Sequence, residues 1–255
     1  MLTPLKQFFL GIRTYGQALA FSRRHRLWGF YVIPAMLNVL IIGGLLWLGW
    51  QYSDLLTEWL WAQARFEVLP EWLLTALNWL IAIVVKLLVL FIFIKTYSTL
   101  VLLLLSPVLG MVAEKVQTIL LERPEPPFSV SVLLKNVLRG LLLTLRNTGI
   151  ELLLVLGLGL LGFIVPLIAP VTTALIILTE AYFIGFGMID LRNEFLGFSA
   201  RQSRQLIWHR RGLAVGNGLG FLAFLLIPVV GVLMGPVVSV IAANLGIFQL
   251  EGQPE

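Results

Sequence analysis

One uncharged run, from residue 212 to residue 250, constrains the fold of this chain more than any other feature. A single bilayer crossing needs about 20 apolar residues, so the run is too long for one transmembrane helix and slightly short for two helices and a turn. At its centre, the stretch LIPVVGVLMGP (226–236) carries two prolines and two glycines. The run therefore predicts two short helices joined by a turn.

Residues 152–189 have the same design, with Pro166 and Pro170 near the centre of an apolar segment. Basic residues lie on both approaches to each segment, and such residues favour the cytoplasmic side of a membrane. Each segment is therefore expected to enter and leave on that side. We predict two helical hairpins, over 152–189 and 212–250, that are re-entrant or marginally spanning.

The basic stretch 128–151 before the first segment is predicted to be a separate cytoplasmic surface helix. Ser199 and Gln202 have the spacing of a capping box, which predicts the start of a short basic helix before the second segment.

The composition places the whole chain in the membrane. Of its 255 residues, 59% are hydrophobic and 12% are charged, whereas soluble domains carry about 25% charged residues. Continuous apolar runs favour helices over the alternating strands of a barrel. The predicted fold is all-α, a single polytopic membrane domain. Its other elements are full transmembrane helices at 27–50 and 72–105 and an N-terminal amphipathic helix at 1–26, lying in the interface or packed on the protein.

Charge asymmetry sets the predicted orientation. The basic residues RRHR (23–26) precede the first span, and an acidic loop, 51–71, follows it. The positive-inside rule therefore places the N-terminus in the cytoplasm. The net charge of +5 comes from basic residues beside apolar runs, which fits anionic lipids better than nucleic acid.

Three arginines before the first span, Arg23, Arg24 and Arg26, are the candidate anion-binding residues. Guanidinium groups donate several hydrogen bonds in a planar fork and are good oxyanion ligands. The alternative is that they act only as a topology signal and lipid anchor.

Polar residues and prolines inside the apolar segments are the candidates for the deeper path. Asn38 should find a partner on another helix, and Lys86 and Glu180 are hypothesised to pair in a structural, gating or proton-coupling role. Pro170 and Pro236 should begin the second hairpin arms, whose free N–H groups favour an anion. The alternative is that these prolines only make tight turns.

Gly212, Gly216 and Gly220 repeat every four residues and put small residues on one helix face. Such a face permits close helix packing, so the three glycines are predicted to form a packing contact or, in a homo-oligomer, the contact between copies. The GLGLLG stretch, 157–162, lacks the strand that a dinucleotide site needs. No catalytic or metal-binding pattern is present in the sequence, so neither an enzyme nor a cofactor is predicted.

Four stretches, in chain order, resemble the etoposide-induced-protein 2.4 domain family, which includes the CysZ-type bacterial sulfate permeases. They are YVIPAMLNVLIIGG (31–44), SPVLGMVAEKV (106–116), GMIDLRNE (187–194) and IPVVGVLMGPVVSVIAAN (227–244). The resemblance implies two true spans, two hemi-penetrating hairpins, a homo-oligomer and sulfate uptake across the bacterial inner membrane. The permeases carry a glycine–apolar–arginine–arginine motif before the first span, where this chain has Arg26, Leu27, Trp28 and Gly29.

The leading hypothesis is therefore an inner-membrane permease or channel for a small inorganic oxyanion such as sulfate, working passively or with proton coupling. Its expected partners are the anion, membrane lipids and further copies of the chain. The competing hypothesis is a membrane-shaping or scaffold protein that does not transport, with the N-terminal helix and the hairpins as wedges in one leaflet.

Overall fold

A computed structural model describes residues 3–63, 107–122 and 129–252, with positions 72, 75, 79 and 105 in isolation. The described residues form helices and turns without any strand, so the predicted all-α fold is confirmed. The α-helices are α1 (Pro4–Arg24), α2 (Gly29–Gln63), α3 (107–121), α4 (Val130–Ile164), α5 (Ala169–Phe195), α6 (Ala200–His209), α7 (Arg211–Leu225) and α8 (Val230–Glu251).

Four of the described helical segments are long and apolar enough to cross a membrane. They are Gly29–Leu48, Leu138–Ile164, Pro166–Phe195 and Val230–Glu251. Helix α7 is apolar but has only 15 residues, so at 1.5 Å per residue it is about 22 Å long. That length is less than the ~30 Å hydrocarbon core of a bilayer.

The chain divides into two compact units, residues 38–101 and the remainder. In the smaller unit, the part of α2 that follows Asn38 exposes large apolar side chains. These are Val39, Leu40, Leu46 and Trp47. Exposure of this kind on a candidate span is expected for a helix that faces lipid.

Helix α8 forms the centre of the larger unit. In an apolar 18-residue stretch of α8, 78% is buried, whereas in the corresponding stretches of α4 and α5 only 17% is buried. A helix that is hydrophobic on all sides and enclosed by protein is a core helix. Helix α3 is joined to it by Gln117, whose Nε2 donates to Oδ1 of Asn244 at 2.9 Å. The more exposed α4 and α5 are left to face lipid.

Both proline-rich segments form helix–turn–helix pairs, with differences from the prediction. Helix α4 is continuous from Val130 to Ile164, so the predicted separate surface helix over 128–151 is wrong. No proline lies between these two ends, and nothing interrupts the backbone hydrogen bonds. A 3₁₀ turn, Pro166–Ile168, follows, and α5 begins with Pro170 in its first turn, as predicted.

The second hairpin turns earlier than predicted. Its turn contains Pro228, and α8 begins at Val230. Pro236 therefore lies inside α8, where it is buried, and does not begin a helix. The turn can close here because Gly231 comes close to the backbone carbonyl of Phe224, a space that a side chain would fill. The position of the turn therefore depends on the close approach of Gly231 to Phe224. The spacing of the prolines alone does not reveal this contact.

Helix α2 is longer than predicted. It continues through residues 51–63, which were expected to belong to an acidic loop. No proline or glycine lies in this stretch, so the helix has no local signal to end, and acidic residues tolerate a helical conformation. The predicted span over 72–105 lies almost entirely outside the described residues.

Helix α1 packs on the protein through its polar and small side chains and exposes apolar ones. Its buried face comprises Gln7, Gly11, Thr14, Tyr15, Ala18 and Ser22. Leu5 is 66% exposed and Phe9 is 60% exposed. The inward face is thus uncharged, whereas the charged Lys6 and Arg13 stay exposed beside apolar side chains. This suits a helix that packs on a membrane protein while touching lipid.

Candidate functional site

The corner between α1 and α2 holds Arg26 in an unusual backbone conformation. The N–H of Leu27 donates to the carbonyl of Ser22 at 3.0 Å, and the N–H of Arg26 donates to that of Arg23 at 3.5 Å. These two bonds define a Schellman motif, whose left-handed position is usually glycine. Arg26 occupies it with φ of 53°. A long charged side chain at such a position is a reason to suspect function.

The same corner is fixed by buried contacts. Leu27 is 2% exposed and occupies the position at which this motif commonly has a buried apolar residue. The hydroxyls of Ser22 and Tyr31 are 2.7 Å apart and both residues are buried. The chain therefore leaves α1 and enters α2 along a fixed path, and the arginines are held on a defined scaffold.

An open pocket lies beside this corner and contains two of the predicted residues. Its volume is about 560 Å³, and its lining is Leu19, Ala20, Arg23, Arg24 and Trp28. Arg23 and Arg24 close the last turn of α1, a helix end at which positive charge is favoured by the helix dipole. The pocket thus combines two guanidinium groups with an apolar and aromatic wall.

Neither pocket arginine is neutralised by an acid within the described part of the chain. The buried Arg192 differs from these two exposed arginines in this respect. Arg192, on α5, donates from Nη2 to Oε2 of Glu251 at 2.5 Å. Because Arg23 and Arg24 keep their hydrogen-bonding capacity and share one pocket, they can bind an anion together.

A second polar cluster joins α4 to α5. Arg139 donates from Nη1 and Nη2 to the two carboxylate oxygens of Asp190, each at 3.0 Å. Its Nη1 also contacts Oε2 of Glu194 at 3.4 Å. The three side chains are between 9% and 17% exposed. A parallel two-bond pair of this type is both strong and geometrically specific.

The cluster extends to the following helix. The hydroxyl of Ser203, on α6, donates to Asp190 and accepts from Nδ2 of Asn193 at 2.9 Å. Ser203 and Asn193 are fully buried. The start of α6 is fixed by a capping box between Ser199 and Gln202, as the sequence predicts. Helices α4, α5 and α6 are therefore locked together at one end of the first hairpin.

A third polar contact ties α1 to the second hairpin. The hydroxyl of Tyr15 lies 2.7 Å from the carbonyl oxygen of Asn217 and 2.9 Å from Oγ of Ser239. Asn217 Nδ2 donates in turn to the Ser239 carbonyl at 3.1 Å. Burial raises the pKa of the Tyr15 hydroxyl far above its usual range, against a smaller lowering by the Ser239 bond. Tyr15 therefore stays neutral and serves packing.

The remaining predicted polar residues are dispersed. Asn38 is completely buried on α2. Glu180 lies partly buried in the middle of α5. Lys86 lies outside the described residues, so the Lys86–Glu180 pair stays a prediction. The free N–H groups expected after Pro236 do not exist, because that residue is inside α8.

The glycine face of α7 is covered by α1 of the same chain. A Cβ at Gly212 would meet the carbonyl of Pro4, one at Gly216 would meet that of Phe8, and one at Gly220 would meet the ring of Tyr15. Of the two contacts that the glycine spacing permits, within the chain or between copies, the structure shows the one within the chain. The face carries a packing contact and offers no open surface to a second copy.

Sequence reasoning missed the Arg139–Asp190 pair as a site. The signal was the GMIDLRNE stretch, in which charged residues follow directly on an apolar arm. Charged residues that close to a span need partners. The sequence predicted a separate surface helix for Arg139. Because α4 is in fact continuous with the hairpin, Arg139 lies beside Asp190, which that prediction did not foresee.

Comparison with known families settles the identity of the fold. A sequence model described as "Sulfate transporter CysZ/Etoposide-induced protein 2.4" matches residues 14–236. The chain belongs to this family. The match includes the arginine corner, the first hairpin with the Arg139–Asp190 pair, and the second hairpin as far as residue 236.

The matches to curated relatives cover most of each relative and most of this chain. A sulfate transporter CysZ from Pseudomonas fluorescens is 31% identical over 81% of this chain and 80% of its own. One from Pseudomonas aeruginosa PAO1 is 30% identical over 95% of this chain and 96% of its own. One from Vibrio parahaemolyticus is 27% identical over 89% of each. A multi-pass membrane protein of a sulfate transporter family is the conclusion these likenesses support.

Proposed function

We propose that this protein passes sulfate, or a closely similar inorganic oxyanion, across the bacterial inner membrane. The observation that carries the proposal is the pocket of Arg23 and Arg24, two guanidinium groups without a carboxylate partner in the described part of the chain. The CysZ names of the relatives supply the substrate class. Sulfate is a tetrahedral dianion, and two planar forks can bind its oxygens together.

The pocket wall adds to the attraction. Trp28 and Leu19 line the pocket beside the arginines, so they cover one side of the site with apolar surface. Charge attraction is stronger where water is partly excluded. The C-terminal end of α1 carries a partial negative charge, which works against an anion there. Two full positive charges outweigh this partial charge, and Arg26 adds a third nearby.

The proposed topology follows from charge. Arg23, Arg24 and Arg26 flank the first span, and Arg210 and Arg211 precede the second hairpin. With basic residues on the cytoplasmic side, the N-terminus lies in the cytoplasm. Both hairpins then enter and leave on that side, and the short α7 makes the second one re-entrant or marginally spanning.

We place the hairpin turns against further copies of the chain in a homo-oligomer. Leu167, in the first turn, is 90% exposed, and Leu226, in the second, is 82% exposed. A turn in lipid leaves backbone groups unpaired, which is tolerated where protein or water covers them. Covering by neighbouring copies meets that requirement. Passive and proton-coupled movement are both compatible with this arrangement.

Equilibrium binding of radiolabelled sulfate to the purified protein tests the site. The variant Arg23→Gln with Arg24→Gln should lose most binding, since charge-assisted bonds contribute about 1.5–3 kcal/mol each. The matched control is Arg13→Gln, which removes an exposed arginine of α1 outside the pocket. Unchanged binding in the double variant, or equal loss in the control, contradicts this site.

The exposed apolar surface of α1 favours a second candidate function, a membrane-shaping protein without transport. Leu5 and Phe9 could insert into one leaflet as a wedge. Electron microscopy of vesicles reconstituted with the protein distinguishes it. Altered vesicle curvature that is lost in Leu5→Gln with Phe9→Gln, together with an absence of sulfate binding, would favour this function.

A further inference from the structure

We propose that α6 is a docking surface for the headgroups of anionic phospholipids. The argument starts from its sequence. Arg201, Arg204, Trp208 and Arg211 recur at intervals of three and four residues, which places residues of a helix on one face. Arg211 is the first residue of α7 and follows Trp208 by three residues, so it continues the same spacing. The stripe contains three positive charges and one large aromatic ring.

The structure fixes which face of α6 is outward. Its buried residues are Ser203 and Ile207, and Ser203 is held by Asp190 and Asn193. Arg201, Trp208 and Arg211 are exposed, and Trp208 keeps 58% of its surface accessible. Because the inward face is locked by the Asp190 cluster, the outward face is presented in one orientation.

The stripe is also organised within itself. The guanidinium carbon of Arg211 lies 5.2 Å from the ring centre of Trp208, which is a cation–π distance. The exposed guanidinium groups of Arg201 and Arg211 can each donate several hydrogen bonds, which suits a ligand with several phosphate oxygens.

The position of α6 in the chain selects a lipid as the occupant. It joins α5, a candidate span that ends at Phe195, to the apolar α7, which begins at Arg211. A short segment between two membrane-inserted helices lies at the membrane surface. Tryptophan concentrates at the headgroup level, and clustered basic residues at that level attract anionic lipids. The combination fits a lipid phosphate with its glycerol backbone against Trp208.

Lipid-dependent thermal stabilisation of the delipidated, full-length protein in neutral detergent tests the proposal. Phosphatidylglycerol should stabilise the wild type at lower concentration than phosphatidylcholine of the same chain length, because a ligand that binds the folded state raises its stability. Arg201→Gln with Arg211→Gln should weaken this effect at least about tenfold in concentration. Lys6→Gln with Arg13→Gln, both exposed on α1, removes equal charge and should leave it unchanged.

Two results would overturn the proposal. One is equal stabilisation by the two lipids, or a preference for phosphatidylglycerol that survives in the α6 double variant. The other is equal stabilisation by soluble glycerol phosphate, which would assign the stripe to a free oxyanion.

A reporter distinguishes a lipid from a soluble partner. The chain has no cysteine, so Gln205→Cys introduces a unique label on the exposed side of α6. In proteoliposomes, a fluorophore there should be quenched by a nitroxide attached to lipid headgroups. Quenching only by a water-soluble quencher contradicts the lipid surface and favours an acidic soluble protein as the partner.

Discussion

Arg139 on α4 and Asp190 on α5 are joined by two parallel hydrogen bonds of 3.0 Å each. Glu194, one turn along α5, contacts the same guanidinium at 3.4 Å. Two carboxylates therefore occupy one arginine, which leaves it little capacity for a substrate anion. We infer that this arginine braces the first hairpin. We infer that the anion is bound by Arg23 and Arg24, which have no carboxylate partner among the described residues.

Asp190→Asn should destabilise the protein strongly. Removing one partner of a buried ion pair leaves the other charge uncompensated and costs about 3 kcal/mol in the free energy of unfolding. Glu194→Gln is the matched control, because it leaves the two-bond pair intact and removes a negative charge beside Asp190. Its effect should be smaller, because Arg139 keeps both of its hydrogen bonds to Asp190. Unfolding in detergent measures both, and equal losses would contradict the assigned roles.

Gly216→Ala should weaken the attachment of α1 to α7. A Cβ at this position overlaps the backbone carbonyl of Phe8, and overpacking of a tight contact costs about 1–3 kcal/mol. Gly16→Ala is the control, since a Cβ there meets open space and alanine favours a helix by up to about 1 kcal/mol. Thermal unfolding and the oligomer mass should be measured together. A changed mass with unchanged stability would assign this face to a contact between copies.

The sequence was sufficient to predict the fold class and both hairpins, because apolar run length and proline position reflect local physics. It misplaced the second turn, since Pro236 is enclosed in α8 while the chain reverses at Pro228. It also divided α4, because the charges of Arg139 and Arg146 looked like a surface signal. The partner of Arg139 lies about fifty positions away, and a long-range pair leaves no local pattern.

The candidate site was predictable only in part. Arg23 and Arg24 line a pocket, as their residue type suggested, but the strained turn at Arg26 depends on backbone geometry. The burial of Gln7, Thr14 and Ser22 on α1 accompanies its contact with α7 and α8. Helical periodicity identifies two faces of a helix, and it does not say which of them meets protein.

Arg26→Gly should raise the stability of the protein and lower its affinity for sulfate. Glycine adopts the left-handed conformation without the cost of about 1–2 kcal/mol that another residue carries. The free energy of unfolding should therefore rise by about 1 kcal/mol, while sulfate affinity falls through loss of the charge. Arg26→Ala controls for charge loss with the strain retained. A variant that gains no stability would contradict the proposed strain, and one with unchanged affinity would exclude Arg26 from the site.

Leu167→Cys tests the re-entrant hairpin. Leu167 is 90% exposed on the chain itself, so only lipid or a neighbouring copy can protect it. In intact cells and in inverted vesicles, a membrane-impermeant maleimide should label it slowly from both sides. Ser129→Cys, exposed at the start of α4, should react only from the cytoplasmic side. Rapid labelling of position 167 from the periplasm would make the first hairpin a pair of full crossings.

Radiolabelled sulfate uptake into proteoliposomes tests sulfate passage at the arginine pocket most directly. Wild-type protein should admit sulfate along its concentration gradient, and Arg13→Gln should match it. Arg23→Gln with Arg24→Gln should reduce the initial rate by at least about tenfold, the effect of losing roughly 1.4 kcal/mol of anion stabilisation. Uptake by the double variant at the wild-type rate, or no uptake by a folded wild type, would contradict the proposal.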